Sequence, residues 1–285
     1  MANFYDVWFS NIDINNSSKL KIFETYKESK IIWELKYEDY KNLGIRDSTI
    51  IRILDESQKV KIEKYISYIE KNNIELVNCY DEKYPTSLKN IDNKPVFLYV
   101  RGEIKNLYKD SVAIVGARNA SEYGKNIARK ISKDIADKNI VIVSGLANGI
   151  DKYAHLGALD SIIGQTVAVL GTGVSNEEIY PYENKKLFER ILENKGTVIS
   201  EFKLGTKPER YNFPLRNRII SGLSNKIIVV EARRKSGSLI TVDYALDQGK
   251  DVFAVPGNIN SFNSEGTNFL ISEGAKIYTK LDDIF

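Results

Sequence analysis

Two hydrophobic rhythms divide the chain. Across residues 1–75, Leu20, Ile22, Phe23, Ile31, Ile32, Leu35, Leu43, Ile50, Ile53, Leu54, Ile62, Ile66 and Ile69 recur at roughly helical spacing, the mark of amphipathic helices. Short breaks at Asn15-Asn16-Ser17-Ser18 and Leu43-Gly44-Ile45 cut the stretch into a compact bundle of short helices. The Leu-Gly-Ile turn has two readings. Helix-hairpin-helix-like turns of this kind can bind DNA backbones, and glycine also serves a helix–helix turn for backbone reasons alone. Residues 76–110 form a connector packing on the core. In it Tyr84-Pro85 and Lys94-Pro95 break helices, and Val96–Val100 predicts an edge strand ending at Gly102.

From residue 111 the pattern becomes strand, glycine turn, helix, repeated. Predicted strands are Val112–Val115, Ile140–Val143, Thr166–Leu170, Thr197–Ser200, Ile227–Val230, Val252–Val255 and Lys276–Tyr278. Most are continuous apolar runs, as expected for strands covered on both faces. Amphipathic stretches such as Ile127–Ile135 and Leu187–Leu192 alternate with them. The alternation predicts an α/β fold over residues 111–285, with a doubly wound, mostly parallel sheet. Ligands of such sheets gather at the strand carboxyl ends.

Those ends carry the candidate chemistry. They read Gly116-Ala117-Arg118, Ser144-Gly145-Leu146-Ala147-Asn148-Gly149-Ile150-Asp151, Gly171-Thr172-Gly173, Glu231-Ala232-Arg233-Arg234-Lys235-Ser236-Gly237-Ser238, and Pro256-Gly257-Asn258. Glycine lets the backbone approach a ligand and expose its N–H groups, and a following helix adds partial positive charge. Ser236, Ser238 and Thr241 are placed either to cap that helix or to donate to phosphate. Any parallel α/β protein needs glycine at such corners, but five such turns, two with arginines, point further. Phe213-Pro214-Leu215-Arg216-Asn217-Arg218 adds two fixed cations and an amide at the mouth of an apolar helix. Guanidinium forks suit phosphate oxygens, and asparagine can meet a base edge or a sugar.

Established nucleotide signatures are missing. There is no G-x-x-x-x-G-K-[ST], and Gly171-Thr172-Gly173 lacks the third glycine of a dinucleotide fingerprint. Catalytic constellations are thin. Asp151 and His155, four residues apart, form either an acid–base pair or a helix-start carboxylate with a packed histidine. Glu201 and Glu231 could bind ribose or metal, or hydrogen-bond loop N–H groups. Aromatic residues interleave with cations: Tyr180-Pro181-Tyr182 before Lys185 and Lys186, and Tyr211 and Phe213 before Arg216. Bases stack on such rings with little sequence preference, although Phe188 falls on an apolar helix face and Lys185 and Lys186 also fit a solvated surface.

Composition narrows the class. In 285 residues the net charge is only +3, so a field for nucleic acid must be local. No apolar run reaches the length of about 18 residues that a spanning helix needs, and the N-terminus has no signal-peptide pattern. The single Cys79 excludes an internal disulfide and a cysteine-based zinc site and is best read as a small apolar filler. These features favour the cytoplasm.

The ordered set of motifs resembles the DprA (Smf) family of DNA-processing proteins. It runs Val115-Gly116-Ala117-Arg118; Ser144–Asp151 with Ala154-His155; Tyr180-Pro181 with Asn184 and Leu187; Ser200-Glu201; Phe213–Arg218; Val230-Glu231-Ala232 with Ser236–Thr241; Pro256-Gly257; and Ser264, Gly266–Asn268, Leu270-Ile271 and Gly274-Ala275. The match covers about residues 80–280. The resemblance implies a Rossmann-like core preceded by a small all-helical SAM-like domain. It also implies a non-enzymatic, cofactor-free protein that binds single-stranded DNA, protects it during natural transformation and loads RecA recombinase. Members are usually homodimers through the Rossmann-like domain. By motif, DNA contacts fall on Arg118, on Arg216, Asn217 and Arg218, and on Lys185 or Lys186. Asn148 stands where many members carry arginine. The chain stops at Leu281–Phe285, which leaves no room for the winged-helix C-terminal domain of some members.

These readings predict a groove across the strand ends, lined by Arg118, Arg216, Arg218 and a lysine. Gly116, Gly171 and Gly237 are expected to present N–H groups, beside Asn148, Ser236 and Ser238. The alternative function is a nucleotide-sensing or nucleotide-processing Rossmann-like protein related to phosphoribohydrolases. The PGGxGTxxE element of that group is absent; Pro256-Gly257-Asn258 is the nearest run.

Overall fold

The computed structural model describes residues 3–55 and 62–285. Six helices come first: α1 (Phe4–Asn11), α2 (Asn16–Tyr26), α3 (Ser29–Glu34), α4 (Tyr37–Asn42), α5 (Asp47–Leu54) and α6 (Ile62–Lys71). Asn3 caps α1, accepting from the Tyr5 N–H at 2.9 Å, and Asn15 caps α2, accepting from Ser18 at 2.8 Å. The Leu43-Gly44-Ile45 turn joins α4 to α5. Gly44 takes φ 68°, and Ile45 N–H returns to the Tyr40 carbonyl while its side chain is buried, a helix-ending arrangement that favours glycine.

The stretch read as a connector supplies sheet. Strands β1 (Ile74–Asn78) and β2 (Phe97–Gly102) form an antiparallel pair, and β2 also pairs antiparallel with β6 (Thr197–Ser200). The Val96–Val100 run is therefore not an edge strand. The edge is β1, covering a strand whose Phe97–Val100 side chains are buried.

The remaining strands are β3 (Ser111–Val115), β4 (Val141–Ser144), β5 (Thr166–Val169), β7 (Lys226–Val229), β8 (Asp251–Ala254) and β9 (Lys276–Ile277). With β6 they pair in parallel, and the sheet order is β1-β2-β6-β5-β4-β3-β7-β8-β9. Between them run α7 (Glu122–Ala136), α8 (Ile150–Leu159), α9 (Lys185–Glu193), α10 (Asn212–Leu223), α11 (Leu239–Asp247) and α12 (Glu265–Ser272).

Along the wholly buried central strand β3, successive side chains alternate between two cores. Val112 and Ile114 join Ala128, Ile131 and Ile135 of α7 and Ile150 and Ala154 of α8 on one face. Ala113 and Val115 join Ile219 of α10 and Val242 of α11 on the other, in the cluster that also holds Val7, Phe9, Ile22 and Phe23 of the first helices. Both sheet faces are covered, which explains the unbroken apolar runs. The helical region shares its core with the sheet.

The order creates one reversal. From β3 the chain winds outward through β4 and β5 to β6, then returns through α10 to β7 on the other side of β3. A doubly wound sheet opens a crevice at this switch point, above the carboxyl ends of β3 and β7.

Candidate nucleic-acid interface

A cleft of about 430 Å³ occupies the crevice. The β3 turn contributes Gly116, Ala117 and Arg118; the β7 turn contributes Arg233, Lys235, Ser236, Gly237 and Ser238. The first turns of α10 contribute Phe213, Pro214, Arg216 and Asn217, and Asp151 of α8 completes the wall. Four cations thus meet one carboxylate, giving the local positive field that the net charge of +3 conceals.

Arg216 forms the floor and is 3% exposed. Its guanidinium donates to the Gly145 carbonyl at 2.7 Å and to the Val169 carbonyl, and its Nε donates to Asn217 Oδ1 at 3.2 Å. A side chain on Gly145 would meet it: an ideal Cβ there falls 2.5 Å from the Arg216 Nη2. The glycine is needed for this close approach. Burial pushes Arg216 down to about 10, with Asp151 opposing and Arg118 adding to the shift. Asp151 accepts from the Gly145 N–H at 3.1 Å. Burial raises its pKa, and Arg216 opposes that.

His155 belongs to the support of this floor. It is fully buried; Nε2 accepts from the Leu146 N–H at 3.3 Å, so Nδ1–H faces Thr166 Oγ1 at 2.7 Å. Thr166 passes its own hydrogen to the Ile142 carbonyl at 2.7 Å. Leu146 needs this hold because it sits at φ 55°, a conformation unusual outside glycine and asparagine. Asn184 fixes its carbonyl at 2.9 Å. Burial pushes His155 down to about 3, so the ring is neutral. Of the two readings of Asp151 and His155, the geometry matches the packed histidine.

Arg118 stands on the rim and is exposed. Its guanidinium lies 5.4 Å from the Phe213 ring centroid, and Phe213 lies 5.6 Å from Tyr180. Beside the main cleft these three residues line a smaller extension of about 200 Å³ with Asn148 on its wall. An exposed fork over Phe213, with Tyr180 beside that ring, is an arrangement able to hold a phosphate next to a stacking platform.

Opposite, Ser236, Gly237 and Ser238 lead into α11, whose first turn lines the cleft with Ile240 and Thr241. The two serine hydroxyls lie 2.8 Å apart, and Asn217 Nδ2 donates to the Gly237 carbonyl at 3.2 Å. Asn217 thereby ties α10 to this loop.

Arg218 departs from the expected groove. Its guanidinium forms a fork with Glu201, both N–O distances being 2.6 Å, and donates to the Asn93 and Leu215 carbonyls at 3.0 and 2.8 Å. The pair is 2% and 5% exposed and lies outside the cleft lining. Two residues along a helix face nearly opposite directions, so Arg218 is turned into the core while Arg216 faces the cleft. Glu201 is consumed in the same pair.

Glu231 is likewise structural. Its carboxylate accepts from Ser121 N–H at 2.9 Å and Ser121 Oγ at 2.5 Å at the start of α7, where negative charge is favourable. Gly171 lies under Phe213, with an ideal Cβ 2.8 Å from that ring, and its carbonyl accepts from Asn212 at 3.0 Å; it does not line the cleft. Lys185 and Lys186 open α9 outside both cleft and extension, with the Lys185 ammonium 5.9 Å from the Tyr182 ring. Phe188 is core, as its helix face suggested. Arg233 and Lys235 are cleft cations that the motif reading left out, although the Arg233-Arg234-Lys235 run signalled them. Among the described residues, no group of His, Cys, Asp and Glu is arranged to hold a metal ion, and no helix is long and apolar enough to cross a membrane.

Comparison with known proteins agrees with this geometry. The family described as DNA recombination-mediator protein A matches residues 75–285. The chain is 44% identical over 204 residues to the DNA processing protein DprA of Streptococcus pneumoniae, covering 72% of this chain and 71% of that one. It is 42% identical over 223 residues to Protein Smf of Escherichia coli, covering 78% of this chain but 59% of the E. coli protein. The X-ray structure of the S. pneumoniae protein superposes with a TM-score of 0.83 at 34% identity, covering 100% of this chain and 98% of that one. DprA from Helicobacter pylori, solved for its single-stranded DNA binding mode, gives 0.66 at 29% identity over 75% of this chain and 95% of that one. With its switch-point cleft, its ordered motifs and these matches, the chain belongs to the DprA (Smf) family of DNA-processing proteins.

Proposed function

We propose that this protein binds single-stranded DNA in the switch-point cleft, shields the strand during natural transformation and delivers it to RecA recombinase, acting in the cytoplasm as a homodimer. The observation that carries the reading is Arg118, an exposed fork over Phe213, which packs beside Tyr180, with buried Arg216 lining the same recess. Backbone phosphates meet Arg118, Arg233 and Lys235, while bases stack on the rings at about 1–3 kcal/mol each. Gly116, Asn148, Ser236, Gly237 and Ser238 supply polar contacts around them. Lys185 and Lys186 serve a strand that leaves the cleft past Tyr180. Two such clefts in a homodimer raise avidity for one long strand.

The site is read as binding without cleavage. Asp151, the carboxylate of the cleft wall, is held by a backbone N–H beside Arg216, and His155 is buried behind Leu146. Incubation with nucleoside monophosphates is expected to release no free base; release would favour the nucleotide-processing reading.

Salt titration tests the proposal. Affinity for oligo-dT falls with salt because phosphate contacts release counterions, and Arg118→Ala lowers the log–log slope by about 0.7 while weakening binding. Unchanged affinity and slope in this variant would remove the cleft from DNA binding.

A further inference from the structure

A second cleft opens on the other flank of α10, between the first helices and the sheet. It has a volume of about 470 Å³. Its charged residues come from the elements around it: Asp13 from the α1–α2 loop, Lys19 from α2, Arg52 from α5, and Glu201 and Lys203 from the loop after β6. Glu201 is already neutralised by Arg218. Asp13 is mostly exposed and stands 3.6 Å from Lys203. Three cations therefore share one carboxylate.

The cations are positioned by the main chain. Lys19 Nζ donates to the Ser10 carbonyl at 2.6 Å, and Lys203 Nζ donates to the next carbonyl, Asn11, at 3.1 Å. Arg52 donates to the Asp13 carbonyl at 3.3 Å. Consecutive carbonyls at the end of α1 thus hold two ammonium groups close together. Burial above all, with the neighbouring Lys203 adding to it, pushes Lys19 down to about 7, since desolvation and a nearby like charge both disfavour the ammonium form. An anion placed among them relieves that repulsion.

Both clefts share the first turns of α10. Phe213 and Arg216 face the first, while Tyr211, Asn212 and Leu215 face the second. The ridge between them is one helix wide, about 10–12 Å with side chains. Tyr211 is 70% exposed on it. A strand leaving the first cleft over this ridge meets an aromatic ring and then the cations.

From this arrangement we infer that the second cleft binds a backbone phosphate of the same DNA strand, held by Lys19, Lys203 and Arg52, with Tyr211 stacking the adjacent base. The inference rests on the strand-binding reading of the first cleft.

Amine-reactive labelling of the wild-type protein, read by mass spectrometry, tests it without a variant. Oligo-dT of about 20 nucleotides is expected to lower labelling of Lys19 and Lys203 several-fold, and inorganic phosphate at the same concentration is not. Unchanged labelling with oligo-dT, or equal protection by inorganic phosphate, overturns the inference. The paired variant Arg52→Ala/Lys203→Ala gives a second measure. It is expected to weaken binding of the same oligonucleotide about tenfold and to lower the salt slope by about 1.4. Binding of a strand of about 5 nucleotides, short enough for the first cleft alone, stays unchanged. Equal loss at both lengths, or no loss at either, overturns the inference. If Arg118→Ala is silent as well, the first-cleft reading has failed; if the paired variant alone is silent, only the second cleft has.

Discussion

Arg216 and Arg218 lie two positions apart, about 200° around a helix, and this angle separates their roles. Arg216 reaches the cleft floor; Arg218 is sealed against Glu201. Arg218→Met strands a buried carboxylate and is expected to cost about 3–5 kcal/mol of stability, read by thermal denaturation. The double change Arg218→Met/Glu201→Gln recovers part of the lost stability and, with no unpaired carboxylate left beside the second cleft, keeps oligo-dT affinity near wild type. His155 gives a second prediction. Its folded pKa, about 3, lies below the ordinary 6.5, so below pH 6.5 the unfolded chain binds a proton that the folded protein refuses. The contribution of neutral His155 is complete above pH 6.5 and is lost as pH falls toward 3, at up to about 1.4 kcal/mol per pH unit. Denaturant titrations across that range should show this slope in the wild type and its loss in His155→Gln. The difference between the two proteins isolates His155 from the carboxylates, some of which, Asp151 among them, shift in the opposite sense.

At the scale of elements, the β4–α8 loop connects sequence to site. Its Gly145 lets Arg216 dock, its Leu146 is held in the left-handed region, and Gly149 at φ 74° opens α8. Gly145→Ala leaves backbone angles permissible but puts a methyl into the guanidinium. The expected result is a displaced Arg216 and a several-fold loss of oligo-dT affinity, with far-UV circular dichroism unchanged. The parallel strands were legible because burial on both faces makes them continuous apolar runs. The β1–β2 pair was not. Ile74-Glu75-Leu76-Val77-Asn78 follows directly on a helix and is too short to show a period of its own, and β2 reads as an edge unless β1 is known to cover it. The opposed faces of Arg216 and Arg218 were legible in principle from helical spacing, whereas the pairing of Arg218 with Glu201 depends on how β6 meets α10. The cleft cations Arg233 and Lys235 stand in a basic run, but which of its members turn inward is set by the loop alone.

In the whole molecule, the reversal between β3 and β7 brings together turns distant in sequence, and a charge of only +3 becomes a concentrated positive cleft. The helical region, sharing its core with the sheet, places further cations beside that cleft. The central claim is that a single strand lies across the carboxyl ends of the parallel strands, over Phe213 and Tyr180. Photocrosslinking of halogenated oligo-dT, with the attached peptides identified by mass spectrometry, examines it directly. The predicted crosslinks fall on the peptides carrying Tyr180 and Phe213 and weaken in Arg118→Ala; crosslinks confined to α7, α12 or β9, with those two peptides unmarked, would contradict it.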